Sequence, residues 1–383
     1  MRCLAWALSF TAAVAAADAE RAPQVKAPEQ IDVYVAGEGG YHTYRIPSII
    51  ATRRGVLLAF AEGRRAGAGD AGDIDVVLRR SSDAGRTWSP IRVIGDNGLN
   101  TFGNPCPVVD SRTGAVWLLT TQNLGVDRER DIIAGTAHST RTVWVMKSDD
   151  DGATWSAPVE ITTSVKRPDW TWYATGPGIG IETASGRLVI PANHAEAGAE
   201  AGTALHRSHV FFSDDRGKSW RLGASLDPGT NESQIVELSR GRLLLNMRNH
   251  PAQSENHRLV ATSDDRGASF TPARPDPALI EPPAQASLLA VRENRRSSTR
   301  PLLLFANPAS TRRERLTIRV SDDEGATWAA SRVVHDGPAA YSSLVALPVG
   351  TVGLLYERGD RGPYERITFA RVAIDWIRES RDR

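Results

Sequence analysis

An eight-residue phrase recurs five times in this chain, and nothing else in the sequence limits the possible fold so tightly. The copies are Ser81–Trp88, Ser148–Trp155, Ser213–Trp220, Ser263–Phe270 and Ser321–Trp328, each reading Ser-x-Asp-x-Gly-x-(Thr/Ser)-(Trp/Phe). Repetition at this spacing means one supersecondary unit copied around an architecture. The Ser and Asp side chains accept hydrogen bonds from nearby backbone N–H groups, and the Gly permits a positive φ. The closing aromatic is a large apolar anchor for the turn. Each copy follows an apolar or β-branched run, so each is predicted as a hairpin turn at a strand end. A calcium loop would need oxygen ligands at alternate positions and a Glu twelve residues from the first. None of the five copies has that set, and no metal site is expected.

Short strand signals fill the rest of the chain: Ile31–Val35, Val56–Ala61, Ala115–Thr120, Leu188–Ala192, Leu243–Met247, Leu302–Ala306, Leu344–Leu347, Thr351–Glu357 and Ile367–Ile374. Gly, Pro, Asn and Asp clusters separate them. The C-terminal stretch Ile374–Ser380 is the one helix candidate. At roughly 55 to 60 residues per four-stranded unit, the chain supplies about six units. The expectation is an all-β, six-bladed β-propeller, with the N-terminal strand completing the last blade and the phrase marking five blades of the six.

Residues 1–19 combine one positive charge, an apolar stretch and a small-residue cleavage pattern. They are expected to be a cleaved export signal, too short for a membrane anchor, leaving 20–383 as one domain that is periplasmic or secreted. Cys106 would then be the only cysteine of the mature protein. A net charge of +1 gives no electrostatic case for nucleic acid or an anionic membrane. Lysine occurs only at 26, 147, 166 and 218, so a single arginine carries little information in this chain. No phosphate-binding glycine motif or zinc spacing is present, and no cofactor is expected. A monomer is favoured.

Function must come from the site, because propellers host many activities. The informative segments are Tyr44-Arg45-Ile46-Pro47, the acid-bearing loop 62–73, Asn231-Glu232-Ser233-Gln234, Asn246-Met247-Arg248-Asn249, Arg312-Arg313, Tyr341-Ser342-Ser343-Leu344 and Tyr356-Glu357-Arg358. Together with the five phrases, known as Asp-boxes, these segments resemble the exo-sialidase (neuraminidase) family over nearly the whole mature chain.

The resemblance implies a substrate whose anomeric carbon carries a carboxylate, a terminal α-linked sialic acid of a glycan. Three guanidinium groups recognise such a carboxylate in a planar, bidentate way that lysine cannot match. It assigns them to Arg45, Arg248 and Arg313, with Arg312 the rival for the third place. It makes Tyr341 the nucleophile, Glu232 the acceptor of the phenol proton and Asp70 the general acid and base, with Asp73 and Asp75 as neighbouring rivals. A neutral phenol avoids the like-charge repulsion that a carboxylate nucleophile would meet beside the substrate's own carboxylate. Glu357 would orient Arg45, and Arg64 would contact the ring-hydroxyl region. Asn104 stands where related enzymes share that contact with an Asp. Trp170, Trp172 and Tyr173 are candidates for a wall of the site. The implied reaction is retaining hydrolysis. Transfer to another glycan or formation of an anhydro sugar remains a variant, and a non-catalytic sialoglycan-binding propeller is the rival reading. The rival has no need of Asp70, Glu232 and Tyr341 together.

Overall fold

The computed structural model describes residues 26–197, 204–250, 256–292 and 300–379. The expected export signal, residues 1–19, lies outside them. Six antiparallel units follow one another along the chain. The first runs through Thr43–Ala51, Leu57–Arg64, Ile74–Ser81 and Arg92–Gly95. The second uses Thr101–Val109, Val116–Asn123, Thr142–Ser148 and Val159–Glu160. In the third, Trp170–Thr175 and Ile181–Glu182 share the innermost place, followed by Leu188–Ala197, Ala204–Ser213 and Arg221–Ser225. The fourth is Thr230–Glu237, Leu243–Asn249, His257–Ser263 and Arg274–Ile280.

One 18-residue strand, Ala330–Leu347, serves two blades. Its first half is the outer strand of the fifth blade, beside Ser287–Val291, Leu302–Pro308 and Glu314–Ser321. Its second half is the inner strand of the sixth, beside Thr351–Arg358 and Arg366–Ala373. The N-terminal strand Glu29–Val35 then pairs antiparallel with Arg366–Ala373 and closes the ring, as expected.

Apolar side chains gather between the blades. One buried cluster joins each neighbouring pair, and Val33, Tyr34 and Tyr44 meet Val345, Leu355 and Phe369 where the last blade meets the first. The helix at the C-terminus spans Ile374–Arg378. Two short helices, Glu129–Ile133 and Thr162–Val165, were not legible in the sequence, since neither is long enough to show a helical period.

The five Asp-boxes lie where the third strand of a blade ends, at Ser81, Ser148, Ser213, Ser263 and Ser321. In the second box Ser148 Oγ donates to Asp150 (2.9 Å) and accepts from the Gly152 N–H (2.9 Å). Asp150 also takes the Thr154 N–H at 2.8 Å and its hydroxyl at 2.6 Å. The box glycines have φ between 75° and 87°, and the residue before each is also left-handed. Their missing side chains are needed between blades. A Cβ on Gly85 would sit 2.0 Å from the Phe369 ring of the sixth blade, and one on Gly217 would sit 2.2 Å from Trp117 of the second. The box aromatics reach across too: Trp88 meets Phe369 edge-on at 5.4 Å and Trp155 meets Phe60 at 5.9 Å. Such pairs contribute about 0.5–1.5 kcal/mol each beyond area burial. Each box therefore fastens one blade to the one before it.

Candidate active site

At the opposite strand ends from the boxes, five of the six inner strands carry a β-bulge near their start. Two residues of the inner strand face one of its neighbour at 46–47, 104–105, 171–172, 231–232 and 340–341. Bulges re-aim side chains and leave ladder groups unpaired. Ile46 and Asn104 consequently sit at φ of 58° and 52°, unusual for a β-branched residue above all. Buried carboxylates take up the freed amides. Glu357 accepts the N–H of Ile46 at 2.9 Å and that of Tyr341 at 3.0 Å, and Glu62 accepts that of Asn104 at 2.8 Å. The residues facing the last two bulges are Arg248 and Glu357. Asn104, Trp172, Glu232 and Tyr341 all lie in bulges, and Arg45 stands just before the first.

These elements surround a cleft of about 830 Å³ at one mouth of the axial channel. Arg45, Arg64, Asp70, Asn104, Trp172, Glu232, Arg248, Arg313 and Tyr341 all line it. Glu357 lies beneath, fully buried. A cavity of similar size at the other mouth contains none of them.

Tyr341 Oη donates to the Glu232 carboxylate, with oxygens at 2.7 and 2.8 Å. Arg248 Nη1 bridges the pair, 2.9 Å from Glu232 and 3.5 Å from the phenol oxygen. Burial and the Glu232 charge push the phenol well above its ordinary range, against the three arginines around it. It therefore rests protonated, with its proton directed at Glu232.

Asp70 stands at the cleft mouth on the loop after the second strand, ion-paired with Arg64 at 2.7 Å. Partial loss of hydration raises its carboxyl, but Arg64 and then Arg45 outweigh this and hold it below its usual range. The rivals are engaged away from the cleft: Asp75 with Tyr41 and Arg65, Asp73 with Arg65.

The three arginines are held by different means. Arg45 Nε bonds Glu357 at 2.7 Å, both buried. The guanidinium of Arg45 lies 5.2 Å from the Tyr341 ring centroid and that of Arg313 lies 5.5 Å from it. Arg313 donates to Tyr364 Oη and, at 2.8 Å, to the carbonyl of Pro283. Arg312 is exposed and paired with Glu314, so only Arg313 faces the cleft. Arg64 lies on the Glu62 carboxylate at 2.6 Å.

Several residues here escaped the sequence reading. Glu62 ties Arg64 to the Asn104 bulge. Gln285 brackets both backbone groups of Ser342, beside the nucleophile candidate, at 3.0 and 2.9 Å. Glu62 had a signal, two positions before Arg64 on one face of a strand; Gln285 had none. Arg141, Asn193, His206 and His250 also line the cleft. Of the aromatic wall, only Trp172 is there. Trp170 is stacked on His194 at 3.4 Å and Tyr173 is fully buried between blades, so both are core.

Comparisons with known proteins agree with this geometry. Residues 55–354 match the BNR repeat-like domain. A sialidase of Bacteroides fragilis is 33% identical over 345 residues, covering 85% of this chain and 62% of that protein. A sialidase of Micromonospora viridifaciens is 34% identical, covering 90% and 54%. The chain thus spans less than two thirds of either relative. Among solved structures, the Hadza microbial sialidase Hz136 superposes with a TM-score of 0.79 at 31% identity, covering 91% of this chain and 69% of that one.

Proposed function

The chain belongs to the sialidase family, and from that membership we propose that it is an exported exo-α-sialidase releasing terminal sialic acid from glycans by a retaining mechanism. The observation that carries the reading is the Tyr341–Glu232 pair, set among three guanidiniums with Asp70 at the cleft mouth. A pair of this kind serves nucleophilic attack. A surface that only bound sugar would gain nothing from a buried phenol aimed at a carboxylate.

In the proposed reaction the substrate carboxylate rests on Arg45, Arg248 and Arg313. Asp70, protonated, gives its proton to the leaving oxygen as the glycosidic bond breaks. Tyr341 Oη bonds to the anomeric carbon and its proton passes to Glu232. Asp70, now a base, takes a proton from water as that water displaces the tyrosine, and Glu232 returns its proton to the phenol. Two inversions give retention. Glu357 takes no proton in this scheme; it holds Arg45 and the backbone of Tyr341 in place.

The test is release of a chromophore from an α-sialoside by the purified protein, with the first product followed by NMR. Early appearance of the α-anomer of free sialic acid is expected. An anhydro sugar as first product would replace hydrolysis by the intramolecular variant. Absence of release across the acid-to-neutral range would leave the sugar-binding reading in its place.

A further inference from the structure

Resting on the sialidase reading, we propose that Tyr364 is a positioning residue of the arginine triad. It holds Arg313 through a neutral acceptor and so leaves one triad charge uncompensated for the substrate carboxylate.

The three guanidiniums differ in what already answers their charge. Arg45 is paired with Glu357 at 2.7 Å and Arg248 with Glu232 at 2.9 Å. Arg313 has no carboxylate among the described residues. Its two bonds go to neutral oxygens, the Tyr364 hydroxyl and the Pro283 carbonyl. A cation that already faces an anion attracts a second anion less, because the two fields oppose each other there. The pull on an incoming carboxylate therefore rests most on Arg313.

Tyr364 touches two members of the triad at once. Its ring lies under the Arg45 guanidinium, whose carbon is 4.0 Å from the ring centroid. Its hydroxyl accepts from Arg313 Nη1. The phenol thus fixes the plane of one guanidinium and the direction of the other, although the two charges repel. Arginines held in this way lose little rotamer freedom when the ligand arrives.

The loop that carries Tyr364 is itself tied down. It joins Thr351–Arg358 to Arg366–Ala373 in the sixth blade. The Glu365 carboxylate turns back and accepts the N–H groups of Asp360, Arg361 and Gly362 at 3.2, 2.9 and 3.1 Å. The Glu365 carbonyl accepts the Ala36 N–H at 2.9 Å, and the Gly359 N–H reaches the Pro338 carbonyl at 3.1 Å. A Cβ on Gly359 would stand 1.9 Å from the Gly362 carbonyl oxygen, so the turn is closed tightly. Above it Tyr364 packs on Ile46, Ala284, Ala340 and Tyr341. An acid at this position would neutralise Arg313, and a phenylalanine would keep the stack but lose the acceptor.

The experiment measures calorimetric binding of free sialic acid and of its C1 carboxamide, which has no charge to offer. Wild type, Y364F, Y364L, R313M and the Y364F/R313M double variant are compared, with sialoside kinetics and thermal melting alongside. Y364F should weaken sialic acid about three- to tenfold and the carboxamide far less. Y364L, which also loses the stack on Arg45, should cost about ten- to hundredfold. KM should rise with the dissociation constant while kcat and its pH profile hold, because the carboxylate stays on the triad through the reaction. In the R313M background Y364F should add nothing, since its effect runs through Arg313. Unchanged affinity for sialic acid in Y364F overturns the proposal. So do equal losses for acid and carboxamide, additive losses in the double variant, or a fall in kcat at constant KM. A wild-type protein that turns over no sialoside sinks the sialidase reading instead. The calorimetric ratios then still decide the role of Tyr364, because binding needs no turnover.

Discussion

Left-handed residues mark both ends of the strands, all five Asp-box turns at one end and the first two inner-strand bulges, at Ile46 and Asn104, at the other. The two differ in where their polar groups find partners. In the boxes the Ser–Asp–Thr/Ser core is bonded locally, while the residues around it bond the neighbouring blade, as Ala84 does Arg371 and Glu324 does Ser239 and Arg242. Asp150 is bonded by Ser148 and Thr154, and Asp83, Asp215, Asp265 and Asp323 repeat the pattern. In the bulges the partners are remote. Glu357 reaches Ile46 and Arg45, more than 300 residues away in sequence, and Glu62 reaches Asn104. Some buried cleft nitrogens, Arg248 Nε and Arg141 Nε among them, have no hydrogen-bond partner among the described residues. A hydrogen-bond network that closes within its own phrase can be copied five times because those bonds need no residue outside it. An open one depends on the other blades and is built once. The repeats hold the ring, and the departures from repetition carry the chemistry.

That contrast can be broken or sharpened by substitution. The largest effect should come from Tyr341→Phe, with kcat down about 10⁴-fold or more and an unchanged melting temperature, read by steady-state kinetics and calorimetry. Asp70→Asn should cost about 10²–10⁴ on a sialoside with a poor leaving group and much less on an activated aryl sialoside. Because Asp70 is held below its usual range, it is an anion at neutral pH and serves as an acid only as pH falls. The pH–rate profile on poor leaving groups should therefore climb from neutral toward acid. Glu357→Gln strikes activity and stability together, since it unpairs buried Arg45; a loss of about 3–5 kcal/mol is expected from denaturant titration. At the box end, Asp150→Asn should leave kcat and KM alone and cost about 1 kcal/mol.

The boxes also set an acid limit. Hydrogen bonds from the box Thr or Ser hold Asp150 and Asp265 at about 2. Their contribution is complete above the ordinary carboxylate range near pH 4. It is lost as pH falls from there toward 2, and melting temperature against pH should show that decline.

Legibility in the sequence follows the same division. The boxes are contiguous, so their turns, their strand ends and the blade count could all be read from the residues. Arg45, Arg248, Glu232 and Tyr341 lie in short segments whose resemblance to a known family is specific, and the same resemblance picked Asp70 from its acid-bearing loop. The bulges were invisible, because one extra residue in a strand leaves its alternation nearly unchanged. Arg141 lies in no motif of an arginine-rich chain, and only the pairing of the strands brings it to the cleft. Trp170 and Tyr173 sit in the same strand as Trp172. The bulge at 171–172 decides which of the three faces the cleft, and that follows from pairing with the next strand.

The central claim is that Tyr341 forms the covalent bond to the sugar. A 2,3-difluorosialic acid, whose second fluorine slows breakdown of the intermediate, should leave the mass of one sugar on the peptide containing Tyr341. Digestion and mass spectrometry would locate it there in the wild-type protein and find nothing in Tyr341→Phe. A label on Asp70 or Glu232, or an enzyme that turns over sialosides but is never labelled, would contradict the account.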